Sequence, residues 1–345
     1  MGYILLKKMP NYSIIIPHCN NIDIITRCLN SLIIKDSEFN EIIVVDDGSK
    51  DKSSELIIEK YPNIKVIKNS KNKGFAESCN IGALSAINEY LIFLNNDTEV
   101  TKGWTKPLIY SLLDGKISSV QPKIKNLKNK NLFDYAGAVG GYLDIFVYPF
   151  CRGRMFNTIE HDYHQYDSKK SIFWASGAAF ATKKSIFIKS GMFDKSLYAH
   201  MEEIDYHWRS QMMGYKILSA PDSIVYHEGA MTLSKESFKK VYLNHRNSWI
   251  VFIANHKIFI VVALIIPKLI LHLISTLLDF FCFRFRNFFA QMLSLLWIVL
   301  NIKYLIKKRI NNKKIIKKGY TLDGMYNRSI VIDYFIFNRR FYSKY

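Results

Sequence analysis

Between Tyr12 and Leu94 the chain changes character repeatedly, as short runs of mainly β-branched and apolar residues alternate with stretches of helical periodicity. The runs are Tyr12–Pro17, Glu41–Val45, Ile64–Ile67 and Tyr90–Leu94, each short for a helix and bounded by turn residues. Between them, Ile22, Ile25, Leu29 and Leu32 share one side of a first predicted helix. Ser53–Lys60 makes a second helix, and a third opens after Gly74 and runs through Ile87. Strand–helix alternation repeated in this way predicts a parallel sheet with right-handed crossovers. Every strand of such a sheet ends at the same edge, where open α/β sheets place their ligands.

Four loops therefore converge: Pro17–Asn20, Asp46-Asp47, Asn72–Gly74 and Asn95-Asn96-Asp97. The last follows a strand buried on both faces and ends in two amides, a carboxylate and the hydroxyl of Thr98. A hard divalent cation takes oxygen donors, commonly one or two carboxylates together with substrate phosphates. Asp97 is accordingly expected to hold such an ion against a diphosphate. Asp46 and Asp47 suit acceptors for a nucleobase imide or a ribose hydroxyl, or else a capped turn shared with Gly48 and Ser49. Lys73 is placed to face phosphate. No GxGxxG follows the first strand and no GxxxxGK[ST] occurs, which argues against a dinucleotide dehydrogenase and a P-loop ATPase.

Further on, a helix over Trp104–Leu113 and a strand over Ser118–Pro122 are predicted. Residues 126–170 read as an irregular loop region over the site, with His161 and His164 as candidate ligands or, more commonly for such loops, solvated histidines. Ser171–Ala181 reads as a strand whose small residues permit close approach by a ligand. Glu202, Glu203 and Asp205 then crowd the start of a helix, more acid than the helix dipole calls for. A strand over Ser223–Gly229 carries His227 near its end, either a second metal ligand beside Asp97 or a satisfied core histidine.

Taken together, IPHCNN (16–21), VVDDGSKD (44–51), NKGFAESCNIG (72–82), LNNDT (94–98), WASGAAF (174–180), GMFDKSLYAHMEEIDYHWR (191–209) and VYHEG (225–229) resemble the family 2 glycosyltransferases of the GT-A fold. The likeness is strongest to their rhamnosyltransferase-like branch and spans about residues 12–247. It implies a nucleotide-diphosphate-sugar donor, a divalent metal (Mg²⁺ or Mn²⁺) and an inverting transfer. By that likeness Pro17, Asn20, Asp46, Asp47, Lys73, Gly74, Asn95 and Asn96 surround the donor, and Asp97 and His227 hold the metal. Glu203 falls on the family's catalytic base, with Glu202 as the rival, and Trp174 and Gly177 lie on the acceptor side. Arg246 resembles a basic position near the diphosphate, though a solvated helix face explains it equally. Two departures stand out: Asn95 replaces the first acid of the DxD motif, and Glu203 replaces the usual Asp of the base motif. The sugar follows the branch to rhamnose. A hexosyl or galactofuranosyl transferase, or a non-catalytic nucleotide-sugar-binding scaffold, remain the alternatives.

After residue 247 the composition shifts, dividing an α/β domain (1–247) from a helical, basic, membrane-associating region (248–345). Residues 258–281 are long enough to span a bilayer, which needs about 20 residues. They are interrupted by Pro267, Lys268, His272 and Asp279, and a second apolar stretch, 288–306, leads into a lysine-rich run. Polar breaks and a basic flank favour helices lying in an anionic interface over spanning ones. The formal net charge of +19 fits that surface, since no base-stacking or DNA-docking motif accompanies it. Five cysteines without metal-like pairing indicate a reducing compartment. The first residues show neither an adequate signal-peptide run nor the Ser or Thr of a myristoylation signal. The expectation is a peripheral enzyme on the cytoplasmic face, acting on a lipid-linked or glycan acceptor.

Overall fold

The computed structural model describes residues 9–35, 41–229 and 237–344; residues 1–8, weighed above as a leader, lie outside them. The first half runs β1 (Tyr12–His18), α1 (Ile22–Lys35), β2 (Glu41–Asp46), α2 (Ser53–Lys60), β3 (Lys65–Lys68), α3 (Phe75–Ser85), β4 (Tyr90–Leu94), β5 (Thr98–Val100), α4 (Thr105–Leu112) and β6 (Ile117–Asn126). Next come β7 (Gly141–Asp144), β8 (Pro149–Cys151), β9 (Arg154–Met155), β10 (Thr158–Ile159), β11 (Ser171–Ile172), β12 (Ala179–Lys183), α5 (Lys184–Lys189), α6 (Glu202–Met212) and β13 (Lys216–His227). The chain continues through α7 (Phe238–Asn255), α8 (Ile258–Phe281), α9 (Phe285–Leu300), α10 (Ile302–Lys313), β14 (Met325–Tyr326) and α11 (Ile330–Phe335).

The main sheet has the order β11-β13-β6-β12-β4-β1-β2-β3, with β5 paired to β13. β1, β2, β3 and β4 are parallel, as the alternation requires. β12 enters antiparallel between β4 and β6, so its first residues lie at the same edge as the end of β4. Alternate residues serve opposite faces. Ile14, Ile16, Val44, Ile92 and Leu94 pack with Leu29, Ile57 and Leu108 on the α1, α2 and α4 side. Ile15, Val45, Leu91 and Phe93 pack with Ala76, Cys79 and Tyr206 on the α3 and α6 side. Each such side chain contributes about 1.5–3 kcal/mol when fully buried. This is the GT-A arrangement, a mixed α/β sheet with the loops that follow its parallel strands along one edge.

Residues 126–170 are not the irregular loop expected. They form a second sheet, β10-β9-β8-β7-β14. Its strands are two to four residues long, too short for a period to register. Its fifth strand comes from residues 325–326, parallel to β7. The expected boundary at 247/248 also falls inside a helix, α7. Beyond α10 the tail returns to the second sheet, where Leu143 N donates to Gly324 O (3.2 Å) and Ile330 N to Asp144 Oδ2 (3.0 Å).

The 24-residue α8 has its polarity inverted relative to a soluble helix. Lys268, His272, Thr276 and Asp279, which interrupt the apolar run in the sequence, all lie on the buried face. Lys268 Nζ donates to Phe146 O (2.6 Å) and Ser248 Oγ (3.0 Å), and Trp249 Nε1 donates to His272 Nδ1 (3.1 Å). Thr276 and Asp279 both bond Gln291 of α9. The outward face is apolar: Phe259, Val262, Ile266, Ile270 and Leu277 are 52–68% exposed.

Candidate functional site

At the end of β1, Asn20 and Asn21 take left-handed conformations (φ 58° and 73°). Their turn is tied to the loop after β2: Lys50 N donates to Asn20 Oδ1 (2.7 Å) and Asn21 N to Asp51 Oδ2 (2.7 Å). Pro17 does not end the strand but sits within β1, opposite Val45. Asp46 accepts from Ser49 N (3.0 Å) and from the Ser49 and Ser54 hydroxyls, which is the capped-turn alternative. Asp47 accepts from Asn69 Nδ2 (2.9 Å), Lys73 N (2.8 Å) and Gly74 N (2.8 Å), so it draws the loop before α3 onto β2. A cavity of about 420 Å³ opens here, lined among others by Asp46, Asp51, Lys68, Asn69 and Asn72. The Lys73 side chain is exposed. Gly74 has φ 92°, and a Cβ there would lie 2.6 Å from the Tyr198 ring.

Antiparallel pairing of β13 with β5 sets His227 opposite Thr98, and so beside Asp97. Asp97 Oδ1 and His227 Nε2 are 3.2 Å apart, both nearly inaccessible. Asn95 Nδ2 lies 3.4 Å from the same ring nitrogen, while Asn96 turns away to His18 Nδ1 (3.0 Å). The other ring nitrogen, His227 Nδ1, is 2.9 Å from Asp134 Oδ1. Burial disfavours the imidazolium, but Asp97 and Asp134 outweigh it and raise His227 to about 10. Burial likewise opposes charge on Asp97, and the imidazolium prevails, holding its carboxyl below the usual range. Despite that contact, Asp97 Oδ1 makes no hydrogen bond of good geometry. Two donors about 2.1 Å from one octahedral ion stand ~3 Å apart, so the pair fits a divalent cation in place of the shared proton. Asp134 is absent from the sequence reading. It orients the histidine as carboxylates orient metal-bound histidines, yet it sits in a stretch with no motif, 93 residues from its partner.

The acid pair opens α6 after a loop with Tyr198, His200 and Met201 at φ 64°, 67° and 71°. Such conformations cost about 1–3 kcal/mol each and persist only where neighbours impose them. Asn247 imposes these, its Nδ2 donating to the Leu197, Ala199 and His200 carbonyls (3.0, 3.0 and 2.7 Å). Arg246 is neither a solvated residue nor a free cation. It is buried, donating to Ser196 O (2.8 Å) and Leu197 O (3.2 Å), and so positions the loop. Glu202 is enclosed against Gly177, where a Cβ would come 3.9 Å from its Oε1. Glu203 is half-buried. The Oε2 of each glutamate is buried without a partner. Burial pushes Glu203 up to about 7, and burial with the Glu203 charge pushes Glu202 well above its ordinary value. Asp205 is different, bonded to Arg209, Lys308 and Asn255 as a packing group.

Trp174 is not available to an acceptor. Its Nε1 donates to Tyr142 O (2.9 Å) and its ring covers Gly141, joining the two sheets. Asp162, His164 and Asp167 bring ligand atoms within 4.8 Å of one another. Both acids are paired to Lys123, and His164 stays solvated as expected.

A GT-A sheet edge carrying a buried Asp–His pair and two glutamates whose Oε2 atoms lack a hydrogen bond suits a nucleotide-sugar-dependent transferase. The chain belongs to glycosyl transferase family 2, whose pattern matches residues 13–189, and it is a glycosyltransferase. Among its relatives is the N-acetylglucosaminyl-diphospho-decaprenol L-rhamnosyltransferase of Mycobacterium tuberculosis, 20% identical over 67% of this chain and 80% of that protein. N-acetylgalactosaminyltransferase 6 of Drosophila melanogaster is 29% identical over 64% of this chain, which spans only 34% of that protein. In three dimensions the chain resembles GalNAc-T7 crystallised with UDP, GalNAc and Mn²⁺ (TM-score 0.57, 20% identity, 72% of this chain and 48% of that one). It also resembles a mannosyltransferase of Pyrobaculum calidifontis in complex with GDP-Man and Mn²⁺ (TM-score 0.51, 12% identity, 90% of this chain and 86% of that one).

Proposed function

We propose that the protein transfers a sugar, with inversion, from a nucleotide-diphosphate donor to a hydroxyl of a lipid-linked or cell-surface glycan acceptor. Rhamnose is the sugar favoured by the mycobacterial relative, whose name includes a diphospho-decaprenol acceptor. A different hexose on the same fold is the second reading, favoured by the N-acetylgalactosaminyltransferase likeness. The observation that carries the proposal is the pairing of Asp97 with His227 at the sheet edge that also holds Glu202 and Glu203.

Asp97 and His227 would hold Mg²⁺ or Mn²⁺, which offsets the charge gathering on a departing diphosphate. The loops of Pro17, Asn20, Asp47, Lys73 and Gly74 seat the nucleoside and its phosphates, with Asn95 at the metal pair. Glu203 removes the acceptor hydroxyl proton as the hydroxyl attacks the anomeric carbon. It is preferred to Glu202 because it is the less enclosed of the two. Arg246 and Asn247 act indirectly, by fixing the loop that aims the pair.

Membrane attachment is assigned to the outward faces of α8 and α9. α8 is long and apolar enough to cross a bilayer. Its polar face, however, is bonded to α7 and to the loop after β7, which favours lying in the interface over spanning. Lysines of α10 and beyond add attraction to anionic lipid, and free thiols at all five cysteines suit the cytoplasmic face. The domain division becomes a catalytic unit that includes the returning tail, with α8–α10 as its membrane-facing part. The test is release of nucleoside diphosphate from a panel of nucleotide sugars with Mn²⁺ or Mg²⁺, then with chelator. Metal-dependent release from one donor, lost in Asp97→Ala, is expected; donor binding that ignores both metal and Asp97 would overturn the metal assignment.

A further inference from the structure

Between α7 and α9 runs an apolar groove of about 300 Å³, lined by Phe238, Tyr242, Leu293, Leu296, Trp297 and Leu300. Its outer wall is open, with Leu293, Leu296 and Leu300 at 45%, 50% and 72% exposed. The groove therefore opens sideways onto the face assigned to the membrane. Its inner wall is coupled to the catalytic loop. The Arg246 guanidinium lies 5.4 Å from the Tyr242 ring and 5.1 Å from the Trp297 ring while bonding the Ser196 and Leu197 carbonyls. At the Phe238 end stand two cations. One is Lys239, whose Nζ is 3.7 Å over the Tyr198 ring; the other is the Arg246 guanidinium already described. His200 Nε2 is buried without a hydrogen-bond partner, two residues before Glu202. An apolar channel thus leads from the lipid side to a cationic mouth beside the acid pair.

We infer that this groove seats the first isoprenoid units of a polyprenyl-diphosphate-linked acceptor, with Lys239 facing its diphosphate. The inference rests on the lipid-linked acceptor proposed above and names where the lipid is held. A phospholipid surface alone does not need a walled channel ending in a cation, Lys239, on the Tyr198 loop. Leu293 to Leu300 covers ~10 Å of helix, so only a short part of the chain is seated and the remainder stays in the bilayer.

The probe is farnesyl diphosphate, compared with inorganic diphosphate, titrated onto the full chain in detergent micelles. Wild type is expected to bind the farnesyl compound at least tenfold more tightly. Leu293→Glu/Leu296→Glu should remove that preference, and Ile270→Glu, on the outward face of α8 but outside the groove, should keep it. Should the double variant melt well below wild type, Leu300→Glu takes its place. Equal affinity for the two probes in wild type, or equal losses in groove and α8 variants, would overturn the groove; the second result would mark plain partition into lipid. Metal-dependent donor release by wild type, followed in parallel, separates failure of the groove from failure of the glycosyl-transfer reading.

Discussion

Replacing Glu203 by Gln separates catalysis from stability, because the two should move in opposite directions. Gln keeps the shape of the side chain and removes the only property the proposed mechanism uses, its capacity to accept a proton. General-base assistance is typically worth ~10²–10⁴-fold, so turnover should fall by that factor while donor affinity stays within about twofold. For stability, the carboxyl is raised from 4.5 to about 7 in the folded protein. Below pH 4.5 both folded and unfolded chains hold the proton and nothing is lost. As pH rises toward 7 the unfolded chain releases its proton first, so the wild type loses stability, up to about 3 kcal/mol above pH 7. That figure is a ceiling, since the side chain keeps some contact with water and the two glutamates titrate as a pair. The new amide brings donors with no acceptor, costing about 1–3 kcal/mol at every pH. The melting temperature of Glu203→Gln relative to wild type should therefore rise between pH 5 and pH 8, reaching or exceeding it at the upper end. The assay is a pair of melting curves at each pH beside product formation at saturating donor. A variant that keeps a tenth or more of wild-type turnover, or whose relative melting temperature falls as pH rises, would refute the reasoning.

Asp134→Asn should weaken Mn²⁺ binding ~10–100-fold, read by titration of the metal, because His227 loses the carboxylate that fixes its ring; unchanged affinity would remove Asp134 from the site. Gly74→Ala forces a side chain into a left-handed conformation and against the Tyr198 ring, so it should lower the melting temperature by several degrees and weaken donor binding together. Phe259→Ser with Ile270→Ser removes two outward apolar groups from α8. Sedimentation with anionic vesicles should fall at least tenfold with no change in melting, and undiminished sedimentation would place the membrane contact elsewhere.

Much of the catalytic half was legible because its signals are local. A five-residue strand ending in Asn95–Asp97, or two acids opening a helix, can be read from a dozen neighbouring residues. The sheet rules then bring separate loops together without further information. Trp174 and Arg246 were misjudged for the opposite reason. An indole among small residues and an arginine on a helix look like ligand contacts until Gly141 is seen to cover one and two carbonyls to engage the other. Asp134 was invisible, since a lone acid in a loop acquires meaning only from the histidine that β13 delivers. The polar residues of α8 are legible as interruptions of an apolar run, but not the face on which they lie. Composition registers that Lys268 and Asp279 interrupt an apolar run, and only packing tells which way they point.

The parallel pairing of β7 with β14 has a consequence for biosynthesis. The bond from Ile330 N to Asp144 joins positions 186 residues apart, so the second sheet stays incomplete until that whole intervening length has left the ribosome. Until then β7 presents an unpaired edge, the kind of surface that recruits other strands. α8 and α9, already synthesised, meanwhile expose their apolar faces. Early capture by a membrane, on the attachment proposed above, would shield the helices while the tail comes home, so that the bilayer would also serve as a chaperone.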